Sequence, residues 1–447
     1  MRETYHVCIV GAGSRYTPGI LKMLVSQRNR FPLRKLTLYD NENERLEKVF
    51  EYAKILFGEY YPECEIVSTL VPKEAFEDID FAFMQIRAGR LKMRESDEKI
   101  ALKYGRIGQE TCGAGGFAYG MRSIPAVIDI IKDIRKHSPE AWILNYSNPA
   151  AIVAEATKRI FKDDFRVINI CDMPIAIMGL YASVLKKDVS ELEPRYFGLN
   201  HFGWFTNVYD KKTGYDYLPD LQKAYRKIHA ELQNDDHHSD DSWAETFRFM
   251  STMISDYEDY LPNTYLQYYL YPDHMLEHEN PNYTRANEVM DGHEKNTFEM
   301  LNKVITDGHI KGTEYELKEG VNDGHASYIV DLATSIAQNK NDIFLCMTEN
   351  TGIISNLTEG MMVEVPCRVG SNGVQPLNVG EIPTFHKGLL ENQFAYEKLT
   401  VDACLEGSYK YAWQALTLNR LVNDTQVAKQ LLDEYIEANK GYWPELK

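Results

Sequence analysis

At 447 residues the chain is too long for one small core, and its length implies two lobes. It is 44% hydrophobic and 26% charged with a net charge of −17, a balance that argues against non-specific binding to nucleic acid or to an anionic membrane. No apolar run approaches the ~18 residues of a membrane span, the start leaves no room for a signal peptide before the first strand, and seven scattered cysteines (8, 64, 112, 171, 346, 367, 404) without CxxC pairs predict reduced thiols in a cytoplasm.

In chain order, His6–Val10 is a short apolar strand. It runs into Gly11-Ala12-Gly13-Ser14-Arg15-Tyr16-Thr17-Pro18-Gly19 and then a helical pattern, Ile20–Val25. A strand, a glycine turn and a helix start make a cradle for phosphate, because free N–H groups and the positive end of the dipole face the ligand. The next strand, Lys35–Tyr39, ends at Asp40, where a ribose hydroxyl would be held. Tyr16 stands where the third glycine of a full dinucleotide fingerprint would be. The competing reading is a glycine-rich βα turn without a nucleotide.

Helix Asn43–Phe57, strand Glu65–Ser68, strand Asp80–Ile86 and the charged helix Leu91–Tyr104 follow. Gly108–Gly116 reads as a glycine-dense loop suited to close approach to a ligand. Helix Ser123–Arg135, strand Trp142–Tyr146 with the polar end Ser147-Asn148-Pro149, and helix Ala150–Phe161 continue the alternation. This pattern predicts an α/β fold with a mostly parallel sheet and right-handed crossovers.

The strand Arg166–Ile170 ends in Cys171-Asp172-Met173-Pro174. Its carboxyl end is where open α/β sheets bind ligands. About thirty residues on, Gly198-Leu199-Asn200-His201 places one histidine among apolar and amide neighbours. Cys171 and His201 are candidates to share a divalent metal, since sulfur with imidazole suits Zn, Mn, Fe or Ni. The bland alternatives are a buried core thiol and a hydrogen-bonded core histidine. Asp172 is a candidate general acid, because burial at a strand end would raise its pKa; the alternative is an N-cap.

After Pro194 the character changes, and strands near Tyr196–Leu199 and Trp204–Tyr209 suggest the antiparallel part of a second lobe. Asn234–Asp241, with His237 and His238, reads as a solvated acidic loop. Leu261–Leu270 is rich in tyrosine, most of it expected to be packing; Tyr265 would be a base only if a metal or cationic neighbour lowered its pKa. Arg94 and Arg285 are candidates for bidentate binding of phosphate or sugar hydroxyls, against a structural ion pair for each. Apolar segments at Tyr328–Ile336, Ile343–Leu345 and Met361–Val365, a turn at Gly370–Gly373 and a helical region from about Pro383 to Asn439 complete the chain.

Six stretches in order, Gly11-x-Gly-Ser-x-Tyr-Thr-Pro, Asn145–Pro149, Cys171–Pro174, Gly198–His201, Thr284–Ala286 and Val363–Pro366, resemble glycoside hydrolase family 4. This is the NAD- and metal-dependent exception among glycosidases. The resemblance implies a Rossmann-type domain over residues 1–195 and an α+β domain over 196–447, related to lactate/malate dehydrogenases, in a homodimer or homotetramer. It implies NAD on Gly11, Gly13, Ser14 and Asp40, and Mn on Cys171 and His201. Asp172 would be the acid, Tyr265 the base at C2 and Glu110 the residue tuning it. Arg94, Asn148 and Arg285 would bind a phosphorylated disaccharide. The aspartate after the metal cysteine resembles the 6-phospho-α-glucosidase branch, whereas β-specific relatives carry asparagine there. The Arg15-Tyr16 pair departs from the Thr-Phe of close α-type relatives. The alternatives are a β-specific or α-galactosidase-type member of the family, a net NAD-dependent hydroxy-acid dehydrogenase, and a non-catalytic binding protein.

Overall fold

The computed structural model describes residues 3–232, 242–318 and 324–447. The acidic stretch Asn234–Asp241 lies outside the described residues. Six strands form a parallel block: β1 (Tyr5–Val10), β2 (Leu33–Tyr39), β3 (Glu65–Thr69), β4 (Phe81–Met84), β5 (Trp142–Asn145) and β6 (Val167–Ile170). Next come β7 (Leu192–Leu199), β8 (Phe202–Asp210) and β9 (Leu261–Pro262), then β10 (Asp342–Glu349), β11 (Met362–Gly370) and β12 (Gly373–Pro376).

Nine strands make one sheet in the order β12-β11-β10-β6-β5-β4-β1-β2-β3. The order of the parallel block reverses between β1 and β4, the switch point at which doubly wound sheets open a crevice. Strand β1 is buried along its whole length, because a parallel strand is covered on both faces. Val7 and Ile9 pack into one cluster with Leu36, Leu38 and Phe83, while Cys8 and Val10 pack into another with Met84 and Ile143. The expected α/β fold with a Rossmann-type sheet is therefore the observed one.

Strand β10 pairs antiparallel with β6 through Cys346↔Ile170 and Met347↔Asn169. The apolar segments at 343–345 and 361–365 thus extend the sheet of the first half. The separate antiparallel sheet is β7-β8-β9. The Tyr328–Ile336 segment lies in a helix, Gly324–Gln338.

The closing helical region consists of three helices, Thr384–Glu406, Tyr409–Leu418 and Thr425–Ala438. They pack back onto the first half, with Tyr396, Leu431 and Tyr435 against Phe117, Met121 and Ile124. At that seam Arg122 Nη1 donates to Asp97 Oδ1 at 3.0 Å and also to Asn439, and the Tyr435 hydroxyl donates to the Asp97 carbonyl at 3.0 Å. This fastens the last helix to helix Arg90–Lys103, which carries Arg94. Among the described residues no helix is long and apolar enough to cross a membrane.

One expectation is corrected. The segment Gly108–Gly116 is a loop only as far as Gly113, and a helix, Ala114–His137, begins there. A Cβ on Gly115 would lie 2.2 Å from the Gly108 carbonyl oxygen, and one on Gly116 would lie 2.6 Å from the Thr111 carbonyl carbon. These glycines let the loop fold against its own helix, so close approach of backbone to backbone, not to a ligand, requires them.

Candidate active site

The carboxyl ends of β1, β4, β5 and β6 open into one cavity of ≈1720 Å³, lined among others by Gly11, Gly13, Asp40, Arg87, Asn148 and Cys171. At its first wall Gly11 has φ +82°, a conformation other residues adopt only under strain. The N–H groups of Gly11 and Ala12 both donate to the Tyr39 carbonyl at 2.9 Å, which ties the turn to the end of β2. Asp40 Oδ2 accepts the Gly13 N–H at 2.7 Å. A Cβ on Gly13 would fall 2.9 Å from Arg45 Cβ and 3.0 Å from Asp40 Oδ2. Ser14 Oγ accepts the Tyr16 N–H at 3.2 Å, just before helix Thr17–Ser26. The tight turn, the acid at its side and the helix start fit a dinucleotide.

At the second wall Cys171 and His201, thirty residues apart, meet: Sγ lies 3.3 Å from His201 Nε2. His201 occupies the tip of the β7–β8 hairpin with φ +61°. Its ring is sandwiched flat against Tyr265, with centroids 3.9 Å apart and planes at 2°. Its Nδ1 lies 2.9 Å from Thr111 Oγ1. Thr111 spends its single hydroxyl proton on Gln109 Oε1, 2.9 Å away, and a carbonyl oxygen can only accept. Thr111 must therefore accept from Nδ1–H, which leaves the Nε2 lone pair facing Cys171.

Burial pushes the His201 pKa down to about 4, so the ring is neutral. Burial, and then the charges of Asp172 and Glu364, pushes the Cys171 thiol well up, a cost that a bound cation would relieve. A neutral imidazole held in the ligating tautomer beside a cysteine fits a divalent metal. Among the described residues no group of three or more His, Cys, Asp or Glu side chains could hold a metal ion. A metal on this pair would thus keep open positions for substrate oxygens. Glu364 supports the hairpin from behind by accepting from Asn200 Nδ2 at 3.2 Å.

Asp172 starts helix Met173–Leu185, but its side chain makes no capping hydrogen bond. Its Oδ2 instead meets His325 Nδ1 at 2.5 Å. Burial raises the Asp172 pKa as expected, but the neighbouring His325 charge and its hydrogen bond outweigh burial and leave the group below the usual carboxylate range. The sequence expectation of a raised pKa is corrected for that reason.

Burial, followed by Cys112 and Glu110, pushes the Tyr265 phenol well above its ordinary value, so the lowering that a base requires would have to come from a bound metal. Glu110 is held down to about 2: burial raises it, but Arg87 and Arg94 prevail. It is paired with Arg87, and Arg94 Nη1 lies 2.9 Å from its Oε1. Arg94 also bonds Glu98 Oε1 through Nε at 2.7 Å. Arg285 pairs with Glu288, and Asn148 Oδ1 is buried without a hydrogen-bond partner among the described residues. All three line the cavity. The sequence reading missed Arg87, Thr111 and His325. The predicted strand Asp80–Ile86 runs directly into Arg87, a faint signal, whereas nothing local marks the other two.

Residues 6–187 match family 4 glycosyl hydrolase, and residues 196–422 match the family 4 glycosyl hydrolase C-terminal domain. The chain is 67% identical to phospho-alpha-glucosidase PagL of Clostridium acetobutylicum over 99% of its own length and 100% of that protein. It is similar, at 51% identity and TM-score 0.95 with full coverage of both chains, to the crystal structure of a 6-phospho-alpha-glucosidase from gut microorganisms in complex with NAD and Mn2+. A second such enzyme, in complex with NAD and glucose-6-phosphate, matches at 43% identity and TM-score 0.92 over the whole of both chains. With both halves matched in order and relatives covered end to end, this chain belongs to glycosyl hydrolase family 4.

Proposed function

We propose that the chain hydrolyses 6-phospho-α-glucosides such as maltose 6'-phosphate, with NAD and Mn bound. The observation that carries the reading is the Cys171–His201 pair at 3.3 Å, next to Asp172 and within the same cavity as the Gly11 turn. The enzyme is taken to be cytoplasmic and a homodimer or homotetramer, with residues 1–195 as the NAD-binding domain and 196–447 as the α+β domain that carries the oligomer contacts, the substrate being met by side chains of both.

Gly11, Gly13, Ser14 and Asp40 would hold NAD, and Cys171 with His201 would hold the metal. When bound, these groups supply a hydride acceptor for C3 and polarisation of the carbonyl left there. The C2 proton, now beside a carbonyl, is removed by Tyr265, which stacks on His201. The C2–H electron pair becomes the C1=C2 bond, and the C1–O bond breaks with its pair going to oxygen. Asp172 protonates that oxygen. Water then adds at C1 and the steps reverse, so no net oxidation remains. Arg94, Asn148 and Arg285 anchor the phosphorylated sugar, while Glu110, fixed by Arg87 and Arg94, sets the field at Tyr265.

The test is a panel of α- and β-linked 6-phosphoglucosides and their galacto epimers, with NAD and Mn omitted in turn. The expected outcome is α-gluco cleavage that needs both additions and shows slower turnover of substrate deuterated at C2 or C3. Cleavage without NAD or Mn and without an isotope effect would refute the reading. Accumulating NADH absorbance would point to a dehydrogenase instead. Cys171→Ser and His201→Ala are expected to abolish activity and Mn binding while the circular dichroism spectrum is kept.

A further inference from the structure

His325 reaches Asp172 from 153 residues away, at the start of helix Gly324–Gln338. Its ring is clamped between two tyrosines. Tyr16 stacks on it at 4.5 Å and 29°, and Tyr146 at 4.6 Å and 23°. The Tyr146 hydroxyl also donates to the His325 carbonyl at 3.1 Å, so the backbone is pinned along with the ring. Tyr16 is covered in turn by Arg15, whose guanidinium carbon lies 4.0 Å from the ring centroid and which donates to the Tyr16 hydroxyl. A ring held on both faces cannot turn, so Nδ1 has one fixed direction. That direction ends 2.5 Å from Asp172 Oδ2.

The other oxygen, Oδ1, lies on the Cys171 side, 3.8 Å from Sγ. The carboxyl gives no cap to its own helix, and among the described residues it is the His325 ring that meets it in an ion-pair geometry. We propose that His325 is the positioning residue for the general acid: clamped by Tyr16 and Tyr146, it occupies Asp172 Oδ2 so that Oδ1 alone delivers the proton to the leaving oxygen. The inference rests on the proposed function and deepens it by dividing the two carboxyl oxygens between two tasks.

The test compares maltose 6'-phosphate, whose leaving alcohol needs a proton, with 4-nitrophenyl 6-phospho-α-glucoside, whose leaving group does not. Wild type, His325→Phe and His325→Asn are assayed with NAD and Mn present. His325→Phe keeps a ring for the tyrosines and removes the donor. His325→Asn keeps a short donor. The ratio of kcat on the aryl substrate to kcat on maltose 6'-phosphate is expected to rise on the order of 30-fold in the Phe variant, a fraction of what general acid catalysis supplies. KM should hold and His325→Asn should recover part of the loss. Equal loss on both substrates, or no loss, in variants that melt like wild type would overturn the inference and leave the proposed function standing. Wild type inert towards both substrates would overturn the function, and the inference with it.

Discussion

Thr111 shows how much one hydroxyl settles. It gives its proton to Gln109 and so obliges His201 to present Nε2 bare towards Cys171. Thr111→Val removes that acceptor. It is expected to weaken Mn binding by about 10–100-fold, the usual cost of losing an outer partner of a metal-bound histidine. Titration of free Mn by electron paramagnetic resonance measures this, and Thr111→Ser should restore most of it. At the opposite wall Gly13→Ala places a methyl 2.9 Å from Arg45 Cβ and 3.0 Å from Asp40 Oδ2. The turn must shift, and NAD affinity followed by fluorescence quenching is expected to fall about tenfold or more, which is ~1.4 kcal/mol. These residues differ in how openly the sequence announces them. Gly11, Gly13 and Asp40 lie on consecutive elements whose order is itself the signal. Cys171 and His201 could be paired only by chemistry, because spacing does not bring them together. Thr111 and His325 act across 90 and 153 residues, and a threonine or histidine without a motif carries no mark of its distant partner.

Among the elements, the parallel block was readable because a strand buried on both faces leaves an unbroken apolar run. The apolar segments at 343–345 and 361–365 showed strands but not their neighbours, so their attachment to β6 emerged only in three dimensions. Helix Thr384–Glu406 carries a further consequence. Glu397 is 3% exposed and accepts a hydrogen bond from Gln393 Nε2 at 2.8 Å. Burial pushes its pKa up to about 8. The folded state therefore binds this proton more tightly than the unfolded chain, whose glutamates titrate near ~4.3. Its contribution to stability is fully present below about pH 4 and is lost as pH rises through about 8. Wild-type melting temperature is expected to decline between pH 5 and 9, and Glu397→Gln should flatten that decline by about 3 °C or more. Parallel slopes in scanning calorimetry of the two proteins would contradict the assignment.

For the molecule as a whole, the two matched halves share one nine-stranded sheet and the helical seam at Arg122, Asp97 and Asn439. A fragment of residues 1–195 would leave the hydrogen-bonding edge of β6 open and strip the cover from Phe117, Met121 and Ile124. Open edges of this kind pair with other chains. The fragment is expected to elute as aggregate in size-exclusion chromatography, and a monodisperse fragment with a cooperative melt would disprove this. The same join bears on biosynthesis. When β6 leaves the ribosome its neighbour β10 is still unmade, and roughly 170 further residues at ~5–20 per second keep that flank bare for about 10–30 s. The nascent protein therefore spends much of its translation with the strand leading to Cys171 unsheltered, and binding of chaperones in that interval is where its yield in the cell would be decided.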